Sequence, residues 1–342
     1  MRGGPGVGIL IGVLSAACAA ASPVGTVPVE SVPVTTASLA VTPSPTRPTS
    51  TTLPAATAPS TIPPTTAPTT ATTAAAALID RSNEATGSRI VADVAALVGF
   101  GPRVAGSAAE RAAGDWITER LRELVGSVET MRIELPSGRS SRNLWVTFGN
   151  PNAGPWTLLG AHYDSIADSP GADDNASGTA ILLELARRLT EEPPSAGVVT
   201  IMLFGAEEVF AGLSRDDHHY GSRQWVAARV DGGRALPDLM VSVDMVGIGA
   251  ELYGVAYRGT STRAVDELVA AADGIGLVVR RLDRGDISDH EPFARAGVPA
   301  AMLWRPSNPA YHTPDDDSVD AERVIDVVAI LQALVQRRHP TG

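Results

Sequence analysis

The stretch LGAHYDSIADSPGADDNASG, Leu159 to Gly178, sets one histidine and four aspartates directly behind an apolar run. Carboxylates gathered that closely repel one another unless something positive sits among them, so the segment is either a solvated acidic loop or a metal site. Further motifs favour a metal. FGAEE ends in the adjacent pair Glu207 and Glu208, SVDMVG carries Asp244, and NPAYHTPDDD carries His312. Histidine nitrogens and carboxylate oxygens are donors that Zn²⁺ accepts without any thiolate. A carboxylate shared by two cations about 3.5 to 4 Å apart is how hydrolytic two-metal sites are built. Neighbouring side chains point in different directions, so one glutamate of the Glu207-Glu208 pair can hold metal while the other reaches a water.

Other polar groups read differently. Ser288, Asp289 and His290 are sequence neighbours and cannot line up as nucleophile, orienter and base; Asp289 is expected to buttress the site. His218 and His219 are assigned to a solvated or lid-like loop, with a substrate contact as the alternative. Asp315 to Asp317 are read as capping the start of the last helix and compensating its dipole, and Trp304 and Phe293 as packing.

The elements that must position these groups follow from hydrophobic periodicity. Apolar runs suited to strands cover Asn143 to Phe148, Thr157 to His162, Val198 to Gly205, Leu239 to Met245 and Ala300 to Leu303. Helical spacing marks Arg111 to Val125, Ala176 to Thr190, Ser222 to Val230, Thr262 to Ala272 and Ala321 to Arg338. Alternation of the two predicts one α/β domain, residues 78–342, with a mostly parallel mixed sheet. Each acidic motif then falls at the carboxyl end of a strand, where open α/β sheets bind ligands.

Composition removes competing chemistries. The net charge of -11, with no basic run, disfavours nucleic acid and anionic membrane surfaces. All 27 basic residues are arginine, which excludes P-loop and Schiff-base lysines. The single cysteine, Cys18, excludes internal disulfides and thiolate zinc clusters. No G-x-S-x-G elbow is present.

Residues 1–21 have one arginine, an apolar core and then small residues, the layout of a secretory signal. LSAAC, Leu14 to Cys18, resembles a lipoprotein processing site, although Ser15 stands where a leucine is usual. Ordinary cleavage near Ala17 to Ala21 and lipidation of Cys18 both stand as outcomes. Export follows from either, to a secreted form or to a surface lipoprotein whose only membrane contact is the lipid. Residues 22–77 are built from Thr, Pro, Ala, Ser and Val, with Glu30 and Arg47 their only charges, and read as a disordered, extended tether. No motif specifies an oligomeric state.

From RVAGSAAER at Arg103 to the last helix, the ordered motifs AHYDS, DDNASG, FGAEE, SVDMVG, SDHEPF and YHTPDDD resemble the M28 family of zinc exopeptidases, which includes secreted bacterial aminopeptidases. The resemblance implies a three-layer α/β/α zinc-exopeptidase fold. It implies His162 and Asp244 on one zinc, Glu208 and His312 on the other, and Asp174 bridging them, with a cis Asp174–Asn175 peptide. Glu207 would be the general base, taking a proton from a water shared by two zincs and returning it to the leaving amine. Asp164 would orient a ligand or the base, and Tyr311 would help to stabilise the oxyanion. Asp289 and His290 would lie behind the ligands or near the substrate. Peptides with free N-termini would be the substrates.

The loop EEVFAGLSRDDHHYGSR, Glu207 to Arg223, is longer than in simple M28 aminopeptidases and resembles that of animal-type glutaminyl-peptide cyclotransferases of the same fold. Those enzymes use one zinc and close N-terminal glutamine into pyroglutamate. Where they carry substrate-facing and ligand-preceding tryptophans, this chain has Leu213 and Tyr311, and its DDNASG follows the peptidase pattern. Hydrolysis is therefore the expected activity and cyclisation the alternative. A catalytically silent surface module, a third reading, conflicts with an intact Glu207 and ligand set.

Overall fold

The computed structural model describes residues 71–150, 154–208, 217–284 and 287–339, with side chains from residue 83 onward. Cys18, Leu213, the signal segment and nearly all of the Thr/Pro/Ala-rich tether lie outside these residues. The elements in order are α1 (Ala71–Val98), α2 (Ala108–Val125), β1 (Glu129–Glu134), β2 (Ser140–Asn150), β3 (Trp156–His162), α3 (Gly178–Glu191), β4 (Gly197–Phe204), α4 (Tyr220–Asp231), β5 (Leu239–Val243), β6 (Tyr253–Tyr257), α5 (Arg263–Asp273), β7 (Arg280–Arg284), α6 (His290–Arg295), β8 (Ala300–Trp304) and α7 (Ala321–Arg338).

The strands form one eight-stranded sheet in the order β1-β2-β4-β3-β5-β8-β6-β7. Its centre, β4-β3-β5-β8, is parallel, while β1, β2 and β6 join by antiparallel pairing. Strand β3 shows why the centre reads as an unbroken apolar run. Leu159 faces the larger core, with α1, α2, α3, α5 and α7, whereas its neighbour Leu158 faces Trp225 of α4 and Phe293 of α6 on the other side. Both faces are covered, so the period-two alternation carries no polar residues to reveal it. The mixed sheet with helices on both faces is the expected α/β/α architecture.

Three strands carry too little signal to be read from sequence. β1 (ETMRIE) and β7 (RRLDR) are edge strands exposed along most of their length, and β6 is five residues long. Helix α1 begins at Ala71, inside the segment read as tether, because its alanine-rich start offers no amphipathic period. Parallel pairing of β4, β3, β5 and β8 brings their carboxyl ends to one edge of the sheet. The acidic motifs occupy that edge.

Candidate metal centre

His162 closes β3, and Glu207 and Glu208 follow β4; Asp244 follows β5, and His312 lies in the segment after β8. Asp174 comes from an irregular turn, Ala172–Ser177, between β3 and α3. The turn is tied down at several points. Asn175 donates from Nδ2 to the Val243 carbonyl at 2.9 Å, and its Oδ1 accepts from the Gly178 amide at 2.9 Å. A Cβ at Gly178 would sit 2.2 Å from the Val243 oxygen, so only glycine allows α3 to start against β5. The Asp174–Asn175 peptide is cis.

These anchors bring the donor atoms together. His162 Nε2 lies 3.3 Å from Asp174 Oδ1 and 3.4 Å from Asp244 Oδ1, while His312 Nε2 lies 3.1 Å from Asp174 Oδ2 and 3.5 Å from Glu208 Oε2. The donors of His162, Asp174 and Asp244 fall within 4.8 Å of one another, as do those of Asp174, Glu208 and His312, and those of His162, Glu207 and Glu208. Asp174 is thus common to two clusters, one on each carboxylate oxygen. Glu208 Oε1, Asp244 Oδ1 and His312 Nε2 are buried with no hydrogen-bond partner among the described residues. Orphaned buried acceptors are costly. Bound cations would satisfy them, so this donor set fits zinc.

The electrostatics agree. Burial drives the Glu208 and Asp244 carboxyl pKa values up, with the nearby Asp174 charge adding to both. For Asp174 burial acts the same way, yet His162 and His312 outweigh it and hold its carboxyl well below the usual range. The opposed shifts follow from carboxylates that are similarly buried but differ in their histidine contacts.

A further set of residues holds the donors in place. Asp164, fully buried, accepts the Glu207 amide at 3.0 Å and the Glu208 amide at 3.1 Å, fixing the backbone of both glutamates. Asp316 accepts the amides of Asp173 and Asp174 at 3.0 and 3.2 Å. That corrects the expectation that Asp315 to Asp317 cap the last helix; Asp320 does so, accepting from the Glu322 amide at 2.9 Å. Arg103 is fully buried, its guanidinium donating to the carbonyls of Tyr163 at 2.7 Å, Gly171 at 2.8 Å and Pro170. It places a positive charge behind the acidic loop.

Tyr311 stacks on the His312 ring at 3.8 Å between centroids and lines a cavity of about 740 Å³ together with the donor residues. Burial and the surrounding carboxylates raise its pKa, so it is a neutral phenol able to donate. Trp304 also lines this cavity, beneath Arg284, instead of serving only as packing. Asp289 and His290 are buried behind it and do not line it. Burial, reinforced by Glu207, raises Asp289 to about 7. Burial lowers His290 to about 3 and keeps it neutral.

His219 departs most from its sequence reading. Far from lying in a solvated loop, it is 1 % exposed, with Nε2 2.9 Å from Glu207 Oε1 and Nδ1 3.1 Å from Glu291 Oε2. His218 is buried too and lines the cavity beside it; the only signal for the pair was the doublet before YGSR, which does not say that either ring turns inward. Backbone conformation marks the same region. The non-glycine residues with positive φ among the described residues are Ala206, His219, Met245 and His312, at 59, 56, 49 and 60°. Each is a site residue or adjoins one, as expected where function holds the backbone in a sparsely populated region.

The sequence profile of peptidase family M28 matches residues 143–332, more than half of the chain and the whole of this cluster. The chain belongs to peptidase family M28. Among M28 relatives, Aminopeptidase YwaD of Bacillus subtilis is 33% identical over 198 residues, covering 53% of this chain and 41% of the relative. The chain therefore spans about two fifths of that protein's length. Glutaminyl-peptide cyclotransferase of Bos taurus is 28% identical over 280 residues, 68% of this chain and 77% of the relative. The structure of BSAP, a zinc aminopeptidase from Bacillus subtilis, superposes with a TM-score of 0.64 at 20% identity, covering 73% of this chain and 94% of the other. That likeness shows a common fold. The chain thus resembles both an aminopeptidase and a glutaminyl-peptide cyclotransferase.

Proposed function

We propose that the protein is a two-zinc exopeptidase that removes the N-terminal residue from peptides. The observation that carries this reading is Asp174, whose two oxygens face different histidines, at 3.3 Å on the His162 side and 3.1 Å on the His312 side. A carboxylate so placed suits a bridge between two cations: His162 and Asp244 would hold one, Glu208 and His312 the other. Zinc, when bound, supplies Lewis acidity that polarises a carbonyl and acidifies water.

The remaining chemistry belongs to the chain. Glu207 is well placed to accept a proton from an attacking water and hand it to the departing amine, since its carboxylate lines the cavity beside the cluster. Burial opposes its ionisation, but His162 and His219 outweigh burial and favour the carboxylate. Asp164 holds the Glu207 and Glu208 backbone, and the Tyr311 phenol can donate to developing negative charge on the substrate oxygen. Acidic walls suit a peptide's free ammonium terminus.

Cyclisation of N-terminal glutamine is the second reading, favoured by the Glu207 to Arg223 loop and by the match to the bovine cyclotransferase. Mass spectrometry of leucine- and glutamine-initiated peptides after incubation with the zinc-loaded chain separates the two. Loss of a whole residue supports the exopeptidase; loss of ammonia alone from the glutamine peptides overturns it. We read the protein as exported, with the Thr/Pro/Ala-rich stretch that precedes α1, residues 22–70, as a tether behind the signal segment or a lipidated Cys18. Fractionation of cells making the wild-type chain and a Cys18→Ala variant tests both points.

A further inference from the structure

We propose that His219 is a positioning residue that fixes the rotamer of Glu207 and so chooses which carboxylate oxygen handles the proton. The inference rests on Glu207 being the base, and holds whether the product is a shortened or a cyclised peptide. His219 stands at the entrance to α4, where its amide donates to the Glu207 carbonyl at 2.7 Å and the Tyr220 amide donates to the Ala206 carbonyl at 2.8 Å. These bonds join the end of β4 to the start of α4, where Ala206 and His219 both adopt the left-handed conformation. The ring is thereby delivered to the side chain of the residue its own backbone grips.

Glu207 Oε1 faces His219 Nε2 at 2.9 Å, while Oε2 points toward the cluster, 4.0 Å from His162 Nε2. One oxygen is held and the other is presented. On its far side the His219 ring meets Glu291 Oε2 at 3.1 Å, and the other Glu291 oxygen accepts from Arg295 Nε. The chain Glu207–His219–Glu291–Arg295 therefore runs from the cavity into α6. An imidazole between two carboxylates can satisfy both only by donating from both nitrogens. Burial opposes charge on His219, but Glu207 and Glu291 outweigh it and raise its pKa to about 10, in keeping with that role. The His218 ring packs edge-on against it at 3.8 Å and limits its rotation. A carboxylate carried on a flexible glutamate loses efficiency quickly when misplaced, and displacement of about 1 Å can cost about 10²-fold in rate.

The test compares His219→Leu, His219→Gln and Glu207→Gln, singly and combined, in the zinc-loaded full chain. His219→Leu is expected to lower kcat about 10²-fold with KM and zinc content unchanged. His219→Gln, which keeps an N–H donor, should recover most of that loss. In the Glu207→Gln background, His219→Leu should have no further effect. Unchanged kcat in His219→Leu, loss of zinc from it, or an equal effect with and without Glu207 would each overturn the inference. Should the wild-type chain process neither peptide set, the proposed function fails by itself. Imidazole ¹⁵N–¹H spectra then judge His219 separately: the Nε2 resonance must shift in Glu207→Gln and the Nδ1 resonance in Glu291→Gln, and a spectrum indifferent to Glu207 overturns the contact.

Discussion

At the scale of single residues, adjacency in sequence suggests different roles for Glu207 and Glu208, although donors of both lie within 4.8 Å of one another and of a His162 nitrogen. Replacing Glu207 by Gln is expected to lower kcat about 10²- to 10⁴-fold while zinc content, measured by elemental analysis, stays at the wild-type level. Zinc loss from that variant would make Glu207 a ligand, as its place within 4.8 Å of His162 and Glu208 donors allows. Arg103 had no legible role, since an arginine in a Gly/Ala-rich stretch reads as surface. Its burial against four carbonyls explains it: the planar fork holds the loop that carries Asp164 and Asp174. Arg103→Lys loses most of those donors. About 3 kcal/mol of stability should go with them, read as a Tm fall of roughly 6–12 °C, together with weaker zinc binding.

At the scale of elements, the central strands and the helices α2, α3, α4, α5 and α7 were legible from periodicity, while α1, α6, β1, β6 and β7 were not. Edge strands gain their identity from a neighbour's hydrogen bonds, and such a neighbour is invisible in a local window. Helix packing hides a comparable long-range term. Glu184 of α3 pairs with Arg89 of α1 at 2.9 Å and with Arg187 and Arg188 at 2.9 and 3.1 Å. Burial alone would raise its pKa, but the three arginines outweigh burial and hold it down at about 2. With a folded value below the unfolded 4.5, the network's contribution is present above about pH 4.5 and is lost as pH falls toward 2. Glu184→Gln should accordingly destabilise by about 2 kcal/mol at neutral pH. The difference in Tm from wild type should shrink steadily between pH 5 and pH 3, and a gap independent of pH would assign the effect to packing instead.

At the scale of the whole molecule, the site is a junction of four strand ends and one turn, so metal and fold must support each other. Zinc that binds only the folded chain stabilises it by mass action, about 2.7 kcal/mol at a hundredfold excess over Kd. Chelation is expected to lower Tm and to abolish turnover, both recovering when zinc returns. Native mass spectrometry should find two zincs in the wild type and at most one in Asp174→Asn, because the bridge serves both clusters; a single zinc in the wild type would favour the cyclase reading.

What the sequence determined by itself was the chemistry: donor types, their order along the chain and the apolar runs that put each at a strand end. These are local properties, carried by residue identity and a period of two or of 3.6. What only the tertiary structure decided was which polar groups serve the donors from behind. Asp316, Asn308, Arg103 and His219 lie far in sequence from most of the groups they hold, and nothing in their own neighbourhoods says which way they face. Asn308 reaches Asp173 at 3.0 Å across 135 residues. Among the described residues between β4 and α4, Ala206 and His219 are left-handed, and the His219 amide donates to the Glu207 carbonyl. Such contacts are made by the packing of the sheet edge, and a linear pattern does not contain them.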